Sequence, residues 1–334
     1  MHPALKTPLC DLLGIEKPIM QAGMGFVARS ELAGAVSKAG GLGVIGAAFL
    51  TLEQLREEIR KVKDMTDKPF GVDILFATYG RPSTDPRIEE FTDEVRHQID
   101  IVFEEEVPIL ASGLGNPAPV VPQAHEAGMK VIALVGNTKN AKRVAAGGVD
   151  VIVAQGYDAG GHTGRVGTFA VVPAIVDCVS QPVAAAGGIA DGRGLVAALA
   201  LGATGIWMGT RFVASKEAFA HMNYKNKIAE IDDEGTIRTR CFTGKPCRVI
   251  KNKTSSEWER REAEIEPFPI QIAKISEYIG ENIYEAARLH GRIEIGSCAA
   301  GQSSALIHEV KPAGQIVNDI IEEAGQILEK LNKR

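Results

Sequence analysis

The chain has 334 residues, 45% of them hydrophobic and 24% charged, with a formal net charge of −5, the balance of a globular protein with a large core. The acidic excess gives no basis for a nucleic-acid partner, and no apolar run reaches the roughly 20 residues of a membrane-spanning helix. The first residues lack the apolar core of a secretory signal, and five scattered cysteines without a C-x-x-C pair predict a reducing, cytoplasmic setting with no metal site and no disulfide framework.

Eight short apolar runs recur along the chain, each followed by glycine or a turn and then a helix-like segment. In order they are Pro18–Gln21, Gly43–Gly46, Phe70–Leu75, Val107–Ala111, Val131–Val135, Val151–Ala154, Pro182–Ala186 and Gly205–Met208. Runs without polar alternation are buried on both faces, the mark of parallel sheets. Between them lie amphipathic stretches such as Leu52–Val62, apolar at helical spacing. Eight β-α units predict an α/β fold, a (β/α)8 TIM barrel, with a doubly wound sheet as the competing architecture. After the eighth run the pattern changes. Residues 212–311 are richer in charge and show no clear βα repeat, so they read as a mainly helical insertion capping the substrate side. Residues 312–334 carry Ile316, Val317, Ile320, Ile321, Ala324, Leu328 and Leu331 on one face and read as the eighth outer helix. The barrel is thus assigned to residues 1–211 and 312–334.

The loops after the barrel strands carry the chemistry. After the first strand, Gln21-Ala-Gly-Met-Gly25 is small enough to let a planar ring lie on the backbone at Gly23, Met24 and Gly25. Asp73 ends the third strand in an apolar setting and is placed to bond a polar ring edge or ribityl hydroxyls. The sixth strand runs into Ala154-Gln-Gly-Tyr-Asp-Ala-Gly-Gly-His-Thr-Gly164, with four glycines and one histidine. His162 therefore sits on the face where barrel enzymes place catalytic groups. Asp158 is its nearest carboxylate in sequence, either a solvated loop residue or an orienting partner. Ala186-Gly-Gly-Ile-Ala-Asp-Gly192 and Met208-Gly-Thr-Arg-Phe212 follow the last two strands, where barrels build phosphate sites from backbone N–H groups. Taken singly, each loop also reads as an ordinary tight turn.

Together these motifs resemble the nitronate monooxygenase (2-nitropropane dioxygenase) family, which includes the flavin-dependent enoyl-acyl-carrier-protein reductases. Ser37-Lys-Ala-Gly-Gly-Leu-Gly43, Lys68-Pro-Phe-Gly-Val-Asp73 and the His162 loop are the most specific parts, and the resemblance covers nearly the whole chain. It implies FMN as cofactor, with Gly23, Met24 and Gly25 against the isoalloxazine and Gln155, Gly160 and Gly161 at its border. Gly187, Gly188, Gly209 and Thr210 would hold the phosphate, and His162 matches the family's active-site histidine. Asp73 stands where many relatives have Asn, and Leu134 where some have a lysine.

Two reactions fit this resemblance. In nitronate oxidation, His162 takes the α-proton of a nitroalkane or positions the nitronate, with dioxygen as oxidant. In the alternative, NAD(P)H is the co-substrate and an α,β-unsaturated acyl thioester (or a quinone) is reduced. For a thioester, the basic run Lys245, Arg248, Lys251 and Lys253 would meet the phosphates of CoA or acyl carrier protein, the bland reading being a solvated basic edge. A third reading is a non-redox barrel binding a phosphorylated ligand. The partner in each case is a small-molecule substrate, and the sequence leaves the oligomeric state open, a homodimer included.

Overall fold

The computed structural model describes residues 1–76 and 92–333. Its strands in chain order are β1 (Ile19–Gln21), β2 (Gly43–Gly46), β3 (Phe70–Phe76), β4 (Ile109–Gly115), β5 (Lys130–Val135), β6 (Val151–Gln155), β7 (Gly161–His162), β8 (Val183–Ala186), β9 (Gly205–Met208), β10 (Thr236–Thr239) and β11 (Cys247–Ile250). Eight of them form one sheet in the order β1-β9-β8-β6-β5-β4-β3-β2, every pair parallel. These are the eight runs read from the sequence. A parallel bridge from Met20 to Leu42 brings β1 back toward β2, with Gln21 N donating to Leu42 O at 2.9 Å. The buried Gln21 side chain reinforces this seam. Its Nε2 donates to Val44 O at 3.1 Å and its Oε1 accepts from Val44 N at 3.0 Å, replacing ladder bonds that the short strands lack. The result is the (β/α)8 barrel.

The helices form because their apolar residues recur on one face. In Leu52–Met65, Leu55, Ile59 and Val62 are buried, and a Thr51–Gln54 capping box fixes the start. The last helix, Ala313–Asn332, packs against Gly192–Ala200 and Ser30–Lys38, the position of an eighth outer helix. Gly192 makes that approach possible, since a Cβ there would lie 2.5 Å from Ala324 N.

The barrel interior holds Met20, Leu42, Val44, Ile109, Ile132, Val151, Val153 and Trp207. Leu9, Cys10 and Leu13 of the short helix Pro8–Leu13 belong to the same cluster and plug its N-terminal end. A Cβ on Gly205 would lie 2.4 Å from Leu9 Cδ2, which shows how tightly the plug is seated. The C-terminal end therefore carries the cavity.

Between Val213 and Ala313 the chain forms helices Met222–Glu230, Lys253–Glu259, Ile270–Ile279 and Ile283–Arg288. It also forms β10 and β11, which the sequence pattern did not reveal. They pair antiparallel, and β11 in turn pairs antiparallel with β7. A separate core of Phe242, Val249, Trp258, Ile275 and Ile283 holds this segment, and Phe26 from the loop after β1 joins it to the barrel.

Candidate active site

The strand ends and the 214–312 segment enclose a cavity of about 850 Å³. Gly23, Met24, Gly25, Asp73, Gln155, Gly160, Gly161, His162, Gly187, Gly188, Gly209, Thr210 and Lys245 all line it. Leu134 lines it too, giving that wall an apolar surface.

One wall is built from backbone. Gly187 and Gly188 turn at φ +98° and +75°, in the left-handed region that favours glycine. The amides of Gly187, Gly188 and Gly209 donate to no group among the described residues. The Thr210 amide opens the short helix Thr210–Val213 and is likewise unspent. Unpaired N–H groups converging on a cavity at the ends of β8 and β9 suit a phosphate. Thr210 Oγ1 accepts from Gly301 N at 2.9 Å, tying this wall to the returning segment. Arg211 in the same loop points elsewhere, its Nη2 donating to Ala214 O and Glu309 O, each at 2.7 Å.

Asp73 lies between the Gly23 and Gly113 backbones. A Cβ on Gly23 would come within 2.2 Å of Asp73 Cβ, so only glycine fits there. Asp73 Oδ1 accepts from Gly113 N at 2.6 Å, and no ion pair accompanies it among the described residues. Burial pushes its carboxyl well above the usual carboxylate range, with the Gly113 hydrogen bond opposing in part. Burial thus favours the protonated carboxyl, the form that can donate a hydrogen bond as the amide of an Asn does.

The opposite wall is built from side chains. Gly161, at φ +74°, turns the chain after β6 so that β7 lies beside β11, with His162 opposite Cys247. His162 Nε2 lies 3.0 Å from Thr243 Oγ1. The single hydroxyl hydrogen of Thr243 goes to Lys245 O at 3.1 Å, so Thr243 accepts the Nε2–H. This network assigns the tautomer and leaves Nδ1 unprotonated. Burial first, and the Lys245 ammonium second, push the imidazole down to about 4, so it is neutral at neutral pH. The ring of Phe268 stands edge-on at 6.1 Å, and Lys245 Nζ lies 4.2 Å from that ring's centre.

Two sequence expectations are corrected here. Asp158 does not orient the imidazole. Its Oδ2 accepts from Thr168 N at 2.8 Å, at the start of the helix Thr168–Val176. Arg248 is not on the cavity wall. It is buried, lies over the Tyr157 ring at 4.6 Å and donates to Tyr157 O and Thr236 Oγ1. Side chains alternate along a strand, so with Cys247 facing the cavity its neighbour faces away. The basic run therefore supplies Lys245 alone to the cavity wall. Sequence reasoning also missed Thr243, Tyr284 and Arg288, which enter from the 214–312 segment. The i, i+4 spacing of Tyr284 and Arg288, placing both on one helix face, was the only signal for the last two.

The nitronate monooxygenase family model matches residues 6–323. The chain belongs to this family. It is 35% identical to a probable nitronate monooxygenase of Staphylococcus aureus, over 97% of this chain and 99% of that one. It is 38% identical to an octahydroindene-carboxyl-CoA dehydrogenase of Mycobacterium tuberculosis, over 76% of this chain and 69% of the relative. The solved structure of FabK from Thermotoga maritima superposes with a TM-score of 0.86 at 39% identity, covering 98% of this chain and 99% of that one. Membership makes the protein an oxidoreductase and sets aside the non-redox barrel. Among the described residues, no helix is long and apolar enough to cross a membrane, and no cluster of His, Cys, Asp or Glu is arranged to hold a metal ion.

Proposed function

We propose that this oxidoreductase binds FMN and oxidises nitronates with dioxygen. The observation that carries the reading is the pairing of an unspent-amide cradle with a neutral, Thr243-held imidazole across one cavity. The residues fit the cofactor on two counts. The amides of Gly187, Gly188, Gly209 and Thr210 offer donors for its phosphate. Gly23, Met24 and Gly25 of the β1 loop line the same cavity, where a ring would rest. When bound, the flavin accepts electrons from the substrate and passes them to dioxygen.

The protein's own part is positional and protolytic. His162 Nδ1 removes the α-proton of a neutral nitroalkane or holds the nitronate already formed. Thr243 keeps the imidazole in the tautomer that exposes this nitrogen. Asp73, whose protonated form burial favours, would donate to the cofactor from that form. Leu134 and the apolar barrel end exclude water from the reacting face.

A second reading is reduction of an acyl thioester by NAD(P)H, and the carboxyl-CoA relative favours it. Anaerobic mixing separates the two. Bleaching of the flavin absorbance by propyl-1-nitronate, and not by NADH or NADPH, is the expected result. Rapid bleaching by a reduced nicotinamide, reversed by an enoyl thioester, would overturn the nitronate reading.

A further inference from the structure

Three arginines are buried among the described residues: Arg211, Arg248 and Arg288. The first two donate to protein oxygens, although Arg211 Nε is sealed without a partner, and neither lines the cavity. Arg288 differs in its place on the cavity wall and in an Nη2 left without a hydrogen bond. It is 9% exposed and lines the cavity. Its Nη1 donates to Gly25 O at 2.7 Å, its Nε is sealed without a partner, and its Nη2 makes no hydrogen bond. No carboxylate pairs with it among the described residues. What faces the cation instead is aromatic, with Tyr284 at 4.8 Å and Phe26 at 5.7 Å from ring centre to guanidinium carbon.

A buried cation lacking a counter-ion is costly, and the weak pull of two ring faces compensates only part of that cost. On a cavity wall, an anionic ligand can supply the missing charge. Arg288 lies near the proposed chemistry. His162, its strand partner Cys247 and Arg288 all line the same cavity. The bond to Gly25 O also fixes Arg288 to the loop on which the flavin ring would lie.

We propose that Arg288 is the anion receptor of the substrate cavity, taking the paired oxygens of a nitronate or of a carboxylate of the same shape. The two oxygens of a nitronate share one negative charge in a plane, and the guanidinium edge matches that arrangement better than an ammonium does. The identity of the ligand rests on the nitronate reading, whereas the anion preference rests on Arg288 alone.

The test uses the flavin-loaded protein and two probes that carry no electrons to donate. Butyrate binding is followed through the change in flavin absorbance, with butyramide as its neutral counterpart. Wild type should prefer butyrate. Arg288→Met should weaken butyrate and raise the KM for propyl-1-nitronate by roughly 10- to 100-fold while butyramide changes little. Arg288→Gln serves as the neutral variant if the methionine form does not retain flavin. An unchanged butyrate affinity, or an equal loss for butyrate and butyramide, overturns the proposal. Arg288-dependent butyrate binding without nitronate turnover defeats the functional reading and leaves the anion receptor standing. Turnover with a KM indifferent to Arg288 does the reverse.

Discussion

The two walls of the cavity are made of different material. The wall at the ends of β8 and β9 is backbone, with glycines and unspent amides carrying almost no side-chain identity. The wall at β7, β11 and the helix Ile283–Arg288 is side chain, with an imidazole, a hydroxyl, an ammonium and a guanidinium. Backbone amides give fixed donors suited to a group that every turnover reuses. Side chains bring charge and protons, which decide what reacts. On the proposed reading, the barrel wall would hold the cofactor and the wall from the 214–312 segment would select the substrate.

The strongest test of this division is His162→Ala. It should keep flavin and lower turnover by about 10²- to 10⁴-fold, measured by oxygen uptake with neutral 1-nitropropane, whose α-proton must be removed. Loss of flavin instead would show that the imidazole belongs to the holding wall. Gly187→Ala probes the other side. Its backbone sits at φ +98°, and the added Cβ would lie 2.9 Å from Ala159 N. The left-handed strain, about 1–2 kcal/mol, should weaken FMN retention roughly tenfold or more in an ultrafiltration assay. The nitronate KM of the flavin-saturated fraction should hardly move.

Thr243→Val should lower kcat roughly tenfold by releasing the imidazole from its tautomer, while Thr243→Ser restores it. Nitrogen-15 NMR of labelled histidine reports the tautomer directly, and a mixed population in wild type would refute the assignment. The smallest effect is on pH dependence. With His162 near 4, kcat/KM of the wild type should lose its neutral base only as pH falls through that region, well below the usual histidine value of 6.5. Removing the neighbouring cation with Lys245→Met favours the imidazolium, so the acid limb should move to higher pH, staying below 6.5 because burial is the larger cause. A shift to lower pH would contradict the electrostatics.

The barrel was legible in the chain because parallel strands buried on both faces leave unbroken apolar runs such as Val151–Ala154 and Gly205–Met208. The glycine loops were legible for a related reason: positions like Gly187 and Gly161 need backbone freedom that only one residue type supplies cheaply. β10 and β11 were not legible. Arg238 and Arg248 interrupt the apolar pattern, and their guanidinium groups bond Thr163 and Tyr157, distant in the chain.

The sequence by itself determined the eight barrel strands, the two glycine loops and the one histidine set among glycines, since each follows from local burial period or local backbone need. Tertiary structure decided the partners. Thr243 reaches His162 across 81 positions, and Arg288 reaches Gly25 across 263. Asp158 and Arg248 were drawn elsewhere because Thr168 N and Tyr157 O lay closer once the chain had closed. Local propensity acts over a few residues, whereas a hydrogen bond is settled by whichever donor and acceptor packing brings within about 3 Å.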